Sequence, residues 1–228
     1  LATSQEFCKA GYPLDVESIL ICELDGPEVE VQELALQVGN IATACGATYS
    51  RTSESEEERQ RFWLGRKSAF SAAGQVAPDY YVMDGTIPRG QLSKVLNRIT
   101  ELSQEYGLTV TNVFHAGDGN LHPLILYDAN IPGELEKTEE MGAKILKLCV
   151  EVGGVLTGEH GVGVEKRDLI GEMFNEVDLK QQQRVKCVFD SQHLLNPGKV
   201  FPTLHRCAEL GKMHVHSADA PFPDIPRF

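Results

Sequence analysis

The chain has 228 residues, a length for one domain or one and a half, with 42% hydrophobic and 24% charged residues. A mean hydropathy of -0.21 fits a soluble globular chain and excludes disorder as the main state, and no uncharged apolar run approaches the roughly 18 residues of a membrane span. Lys+Arg 21 against Asp+Glu 33 leaves a net charge of -12, which argues against nucleic acid and anionic lipid as partners but leaves room for a small anionic substrate.

In chain order, Ser18–Leu24 is a β-type run closed by the turn signal Asp25-Gly26-Pro27. Glu28 to Cys45 has helical spacing through Val31, Leu34, Val38 and Ile41. Thr48 and Tyr49 open a second short strand. The acidic stretch Ser53–Arg61 opens a helix that runs through Trp63, Arg66 and Phe70 and ends at Gly74 and Pro78. Asp79–Ile87 reads as a strand. Pro88 suits the first turn of a helix with Leu92, Val95, Leu96 and Ile99 on its apolar face, stopped by Gly107. Strands follow at Leu108–Phe114 and Leu121–Tyr127, then helices over 132–152, 166–174 and 178–189. The last twenty residues contain Pro221, Pro223 and Pro226 and read as a tail. This order predicts an α+β fold: a ferredoxin-like antiparallel sheet covered by helices, followed by a helical C-terminal segment.

The first residues, LATSQEF, have no basic segment with an apolar core and no initiator Met. A secretory signal is therefore not expected, and a processed start or a fragment is. The six cysteines include no C-x-x-C pair, so free thiols in a cytoplasmic setting are the expectation.

Chemistry concentrates in two stretches. In His115-Ala116-Gly117-Asp118-Gly119-Asn120-Leu121-His122, Asp-Gly between apolar runs signals a two-residue hairpin turn. Gly117 then faces Asn120, Ala116 faces Leu121 and His115 faces His122. Opposite residues share a face with Cβ atoms about 4.5–5.5 Å apart, so both imidazoles can point at one metal ion. In Gly153-Gly154-Val155-Leu156-Thr157-Gly158-Glu159-His160-Gly161-Val162-Gly163, Glu159 supplies the carboxylate that a two-histidine site lacks. Two His and one carboxylate suit Zn²⁺, Mn²⁺ or Fe²⁺. His160 would lie beside the ion and point elsewhere, as a base. The pairs Arg66-Lys67 and Lys166-Arg167 are each candidates to grip a carboxylate. Asn196-Pro197-Gly198 is a turn. His214 and His216, near His205 and Cys207, read as incidental in a Pro-rich tail.

Taken together, HAGDGNLH, GGVLTGEHGVG, KRDL and FDSQHLLNPGKVFP, with RKSAF and APDYYVMDGTIPR before them, resemble the C-terminal half of FAD-linked oxidases of the vanillyl-alcohol-oxidase superfamily. The likeness is greatest to the branch of the glycolate oxidase FAD subunit and D-lactate dehydrogenase. It implies a substrate (cap) domain over 1–186, a segment over 187–206 returning to an FAD domain, and a tail over 207–228. It maps metal ligation to His115, His122 and Glu159, the active-site histidine to His160, the arginine holding the substrate carboxylate to Arg66, and the segment approaching the flavin to Asn196. The hydroxyglutarate branch has a lysine where Val82 stands and an asparagine where Leu124 stands. Both departures favour a smaller hydroxy acid.

The implied function is that of a C-terminal fragment of an FAD-dependent 2-hydroxy-acid dehydrogenase, acting on glycolate or D-lactate and inactive alone. The implied partners are its own N-terminal FAD domain and the iron–sulfur and second flavin-type subunits of a glycolate oxidase complex. The implied location is cytoplasmic, peripheral at the inner membrane through those subunits. Two other readings share the residues: a non-catalytic ferredoxin-like module binding metal or a small acid, and a metal-dependent hydrolase.

Overall fold

A computed structural model describes residues 11–202. The predicted tail with His205, Cys207, His214 and His216 lies outside them, as does Cys8. The chain divides into two compact units, Leu1–Pro78 and Asp79–Phe228.

The described part of the first unit is helical: α1 (Glu28–Ala44), α2 (Glu56–Lys67) and α3 (Ala69–Ala73). Helix α2 starts where Ser55 accepts from the Glu58 backbone N–H. Glu56, Glu57 and Glu58 occupy its first turn and Arg66 and Lys67 its last, each sign favoured by the helix dipole. The strands expected at Ser18–Leu24 and Thr48–Tyr49 do not form. An apolar run becomes a strand only where a neighbouring chain completes its ladder, and no pairing engages these residues.

The second unit holds β1 (Asp79–Val82), β2 (Gly85–Thr86), α4 (Leu92–Tyr106), β3 (Thr109–Asn112), β4 (Asn120–Leu121), β5 (Pro123–Tyr127), α5 (Glu134–Glu151) and α6 (Glu176–Phe189). The segment 166–174, expected as helical, holds a 3-10 helix at Arg167–Glu172. Strand β5 is central, antiparallel to β1 on one side and β3 on the other. The succession β1-α4-β3-β5-α5 supplies five of the six elements of the predicted plan. The sixth is reduced to a bridge between Thr86 and Val155.

The α4 spacing works as read: Val95, Ile99 and Leu102 are buried. They meet Met141, Ile145, Leu146 and Cys149 of α5, with Leu121 and Ile125 of the strands, in one core. Each such side chain contributes roughly 1.5–3 kcal/mol by leaving water. Gly107 caps α4 with φ 66, a backbone conformation that side chains disfavour.

Two details of this unit shape the site. The run Asp79–Ile87 is one strand by composition, but it breaks after Val82, and β2 leaves to pair with β4. Asp84 sits at the break, fully buried. The turn after His115 is not a two-residue hairpin either. His115 lies opposite Asn120, and the Asp118 and Gly119 N–H groups both donate to the His115 carbonyl. The loop is Ala116–Gly119. His115 and His122 are therefore diagonal neighbours rather than direct partners. They keep a common face, because a register change of two residues preserves the alternation of a strand.

Cys22, Cys45 and Cys149 are free thiols. Cys187 is disulfide-bonded, which corrects the expectation of free thiols throughout.

Candidate active site

The site is assembled from β4, the residue following it, and the glycine-rich loop after α5. Asn120 and Leu121 form β4, and His122 comes next, with both Asn120 and His122 buried. The loop closes onto this ribbon. Val155 exchanges backbone hydrogen bonds with Thr86, and the Gly158 N–H donates to the Asp84 carbonyl at 3.0 Å. Gly158 must be glycine: a Cβ there would lie 2.6 Å from Asn120 Oδ1 and closer still to Thr86 Oγ1. That approach brings Glu159 and His160 up to the two histidines.

The predicted ligands come together only in part: Glu159 approaches His115, while the close ligand group among the described residues is Asp84, His122 and His160. Glu159 Oε1 is 3.6 Å from His115 Nε2. The His115 and His122 rings stand edge to face with centroids 5.7 Å apart. Asn120 Nδ2 donates to Glu159 Oε1 at 2.8 Å and lies 3.5 Å from His122 Nε2. Burial pushes the His122 imidazolium toward deprotonation, and nearby His160 and His115 add to this against the opposing pull of Glu159 and Asp84. The result is the neutral ring that metals require.

Glu159 and His160 diverge, as expected of neighbours on a bent segment. The destination of His160 differs from the expectation that it points away from the hairpin histidines. Its ring stacks on His122, centroids 5.2 Å apart and planes 14° from parallel. Asp84, His122 and His160 consequently present ligand atoms within 4.8 Å of one another.

Asp84, which carried no role in the sequence reading, is the electrostatic centre of this unit. Its Oδ2 accepts from Thr157 Oγ1 at 2.7 Å, His160 N at 2.9 Å and Lys166 Nζ at 2.9 Å. Its Oδ1 accepts from Glu159 N at 3.1 Å. Burial raises the Asp84 carboxyl, but the hydrogen bonds from Thr157, His160 and Lys166 outweigh it and hold the group well below the usual carboxylate range. The only hint in the sequence is a charged residue inside the apolar run Tyr80–Ile87.

Of the basic pairs, Lys166 is 3% exposed and bound to Asp84, so it is not free to grip a substrate. Arg167 donates to the Gly198 carbonyl at 2.9 Å, and the Val200 N–H donates to the Gly163 carbonyl. The loop carrying Asn196 is thereby clipped to the glycine-rich segment. Asn196 is exposed and accepts from Lys199 Nζ at 3.1 Å. Arg66 belongs to α2 of the first unit, while the site geometry above is that of the second unit alone.

The pair His115 and Glu159 stands at a separation that suits a divalent cation. At bond lengths of roughly 2.0–2.1 Å, two tetrahedral ligands stand about 3.4 Å apart, close to the His115–Glu159 separation of 3.6 Å. His122 is shared by the two candidate ligand groups. Asp84 is the poorer ligand, since its oxygens are already occupied by internal donors.

Residues 1–200 match the family described as FAD linked oxidases, C-terminal domain. The glycolate oxidase subunit GlcD of Escherichia coli strain K12 is 56% identical over the whole chain, which covers 46% of that protein. GlcD of Bacillus subtilis is 31% identical over 88% of this chain, and the D-lactate dehydrogenase of Archaeoglobus fulgidus 32% over 73%, corresponding to 43% and 36% of those proteins. The chain spans about half the length of the curated relatives it matches, or less. Among solved structures, a 4-ethylphenol oxidase from Gulosibacter chungangensis shares the fold over 77% of this chain and 37% of its own, with TM-score 0.52 and 16% identity.

Proposed function

The chain belongs to the FAD-linked oxidases through their C-terminal domain, and from that premise we propose that it is the substrate- and metal-handling part of an FAD-dependent 2-hydroxy-acid dehydrogenase acting on glycolate or D-lactate. The observation that supports this reading is the approach of Glu159 to His115 at 3.6 Å, with the His122 and His160 rings stacked beside them. Relatives named glycolate oxidase subunit and D-lactate dehydrogenase supply the substrate class.

In this reading His115, His122 and Glu159 hold a divalent ion, Zn²⁺, Mn²⁺ or Fe²⁺. Such an ion would supply a lowered pKa to a coordinated hydroxyl, and FAD would supply the acceptor for the hydride of the α-carbon. His160, exposed on the loop, takes the hydroxyl proton as general base. Arg66 pairs with the substrate carboxylate, and its fork of donors fixes orientation. Asn196 contributes to the flavin side through the loop that Arg167 clips in place. Val82 and Leu124 present no polar group for a second substrate carboxylate. The relatives' name as a subunit supports work alongside other subunits, and the remainder of their length supports a flavin-binding portion beyond this chain.

The experiment is turnover of glycolate and D-lactate by the FAD-loaded enzyme that carries this chain, with metal content measured on the same samples. His160→Ala should keep the ion and lose about 10²–10⁴-fold in rate, the usual cost of a general base. Loss of the ion in His160→Ala with retention in Glu159→Ala would reverse the assigned roles.

A further inference from the structure

Asp84 takes no part in the chemistry proposed above, yet it is completely buried and collects hydrogen bonds from three consecutive residues of the opposite loop. Burying a carboxylate is expensive unless every oxygen is met by donors. Here Thr157 Oγ1, the N–H groups of Gly158, Glu159 and His160, and Lys166 Nζ all converge on it. Consecutive backbone N–H groups turned to one point form a concavity suited to an anion. In this chain that concavity is filled by the protein's own carboxylate, so these amides are not free for a substrate anion.

The geometric consequence lies in the side chains. With the Glu159 and His160 N–H groups both turned inward to Asp84, their side chains are directed apart, Glu159 to His115 and His160 to His122. We propose that Asp84, backed by Lys166, is the positioning residue of the 157–160 loop and sets the reach of Glu159 and His160 toward the two histidines. The inference rests on the metal reading only for its effect on ion affinity. The anchoring itself is a property of the chain without any ion. Direct ligation by Asp84 is the competing role, and it predicts a different result.

The test compares wild type and Asp84→Asn in the full 228-residue chain. Asparagine keeps the shape but turns an N–H₂ toward donors. Amide hydrogen exchange of the metal-free chain is read by NMR, and Mn²⁺ alone is then titrated. Exchange at Glu159 and His160 should rise about 10- to 100-fold, with Gly158 still held by the Asp84 carbonyl and Ile125 and Leu126 of β5 unchanged. Mn²⁺ affinity should fall about 10- to 100-fold. The proposal is overturned if the Glu159 and His160 amides stay as protected as in wild type, or if β5 amides accelerate equally. Loss of Mn²⁺ affinity with unchanged loop exchange likewise overturns it, in favour of ligation. Wild type that fails to bind Mn²⁺ while Asp84→Asn frees the loop retains the anchor and removes the metal reading. If Asp84→Asn does not fold, Thr157→Val carries the test. Losing one donor should speed the Glu159 and His160 amides severalfold, and no change overturns the anchor.

Discussion

The side-chain amide of Asn120 donates to Glu159 Oε1 at 2.8 Å, joining two residues 39 positions apart in the chain. Asn120 is 4% exposed, and this bond orients the carboxylate toward His115. In the metal reading proposed above, it holds Glu159 in place before an ion arrives. Asn120→Ala should therefore weaken Mn²⁺ binding about 10- to 100-fold without removing a ligand. Calorimetric titration of the folded variant checks this, and an unchanged affinity would mean that Glu159 needs no such partner.

Gly158→Ala is the smallest substitution with a large expected effect. Its methyl group would overlap Asn120 Oδ1 and Thr86 Oγ1, so the loop must move off the β2–β4 ribbon. Overpacking of this kind costs about 1–3 kcal/mol. Thermal unfolding should register that loss, and Mn²⁺ affinity should fall with it. Gly161→Ala is the comparison for space, since a Cβ there meets nothing within 4 Å, although its φ of 80 still strains the backbone.

Asp84 makes stability depend on pH in a definite direction. Its carboxyl ionises below the usual range in the folded chain. Its contribution is complete above the unfolded value of about 3.9 and is lost as pH falls from there toward the folded pKa. The gap in Tm between wild type and Asp84→Asn should be widest near neutral pH and narrow below about pH 4. Calorimetry across that range decides it, and a gap independent of pH would show that the charge contributes nothing.

Cys149 is buried against Gly85 in the core, and burial pushes its thiol up to about 12. Only the thiolate reacts, so Cys149 should resist iodoacetamide at pH 8 while the exposed Cys22 and Cys45 are modified. Peptide mass spectrometry of the native chain reads this directly. Modification of Cys149 at the rate of Cys22 would mean that the α5–β2 contact opens readily.

The sequence alone determined whatever depends on local periodicity. Val95, Ile99 and Leu102 share a helical face whatever they pack on, and Gly107 ends that helix because few other residues take its backbone angles. His115 and His122 share a face in either register, so the two rings meet even though the turn sets them diagonally rather than directly opposite. The glycine-rich stretch with Glu159-His160 was legible as backbone able to approach a ligand closely or bend tightly. Only the tertiary structure decided the rest. Ser18–Leu24 has strand composition but gains no partner, and a ladder is not a local property. The roles of Asp84 and Lys166 emerge from groups 73 to 82 positions apart in the chain. A buried charge is viable only when its compensating donors arrive together, and that meeting is created by packing, which no window of neighbouring residues contains.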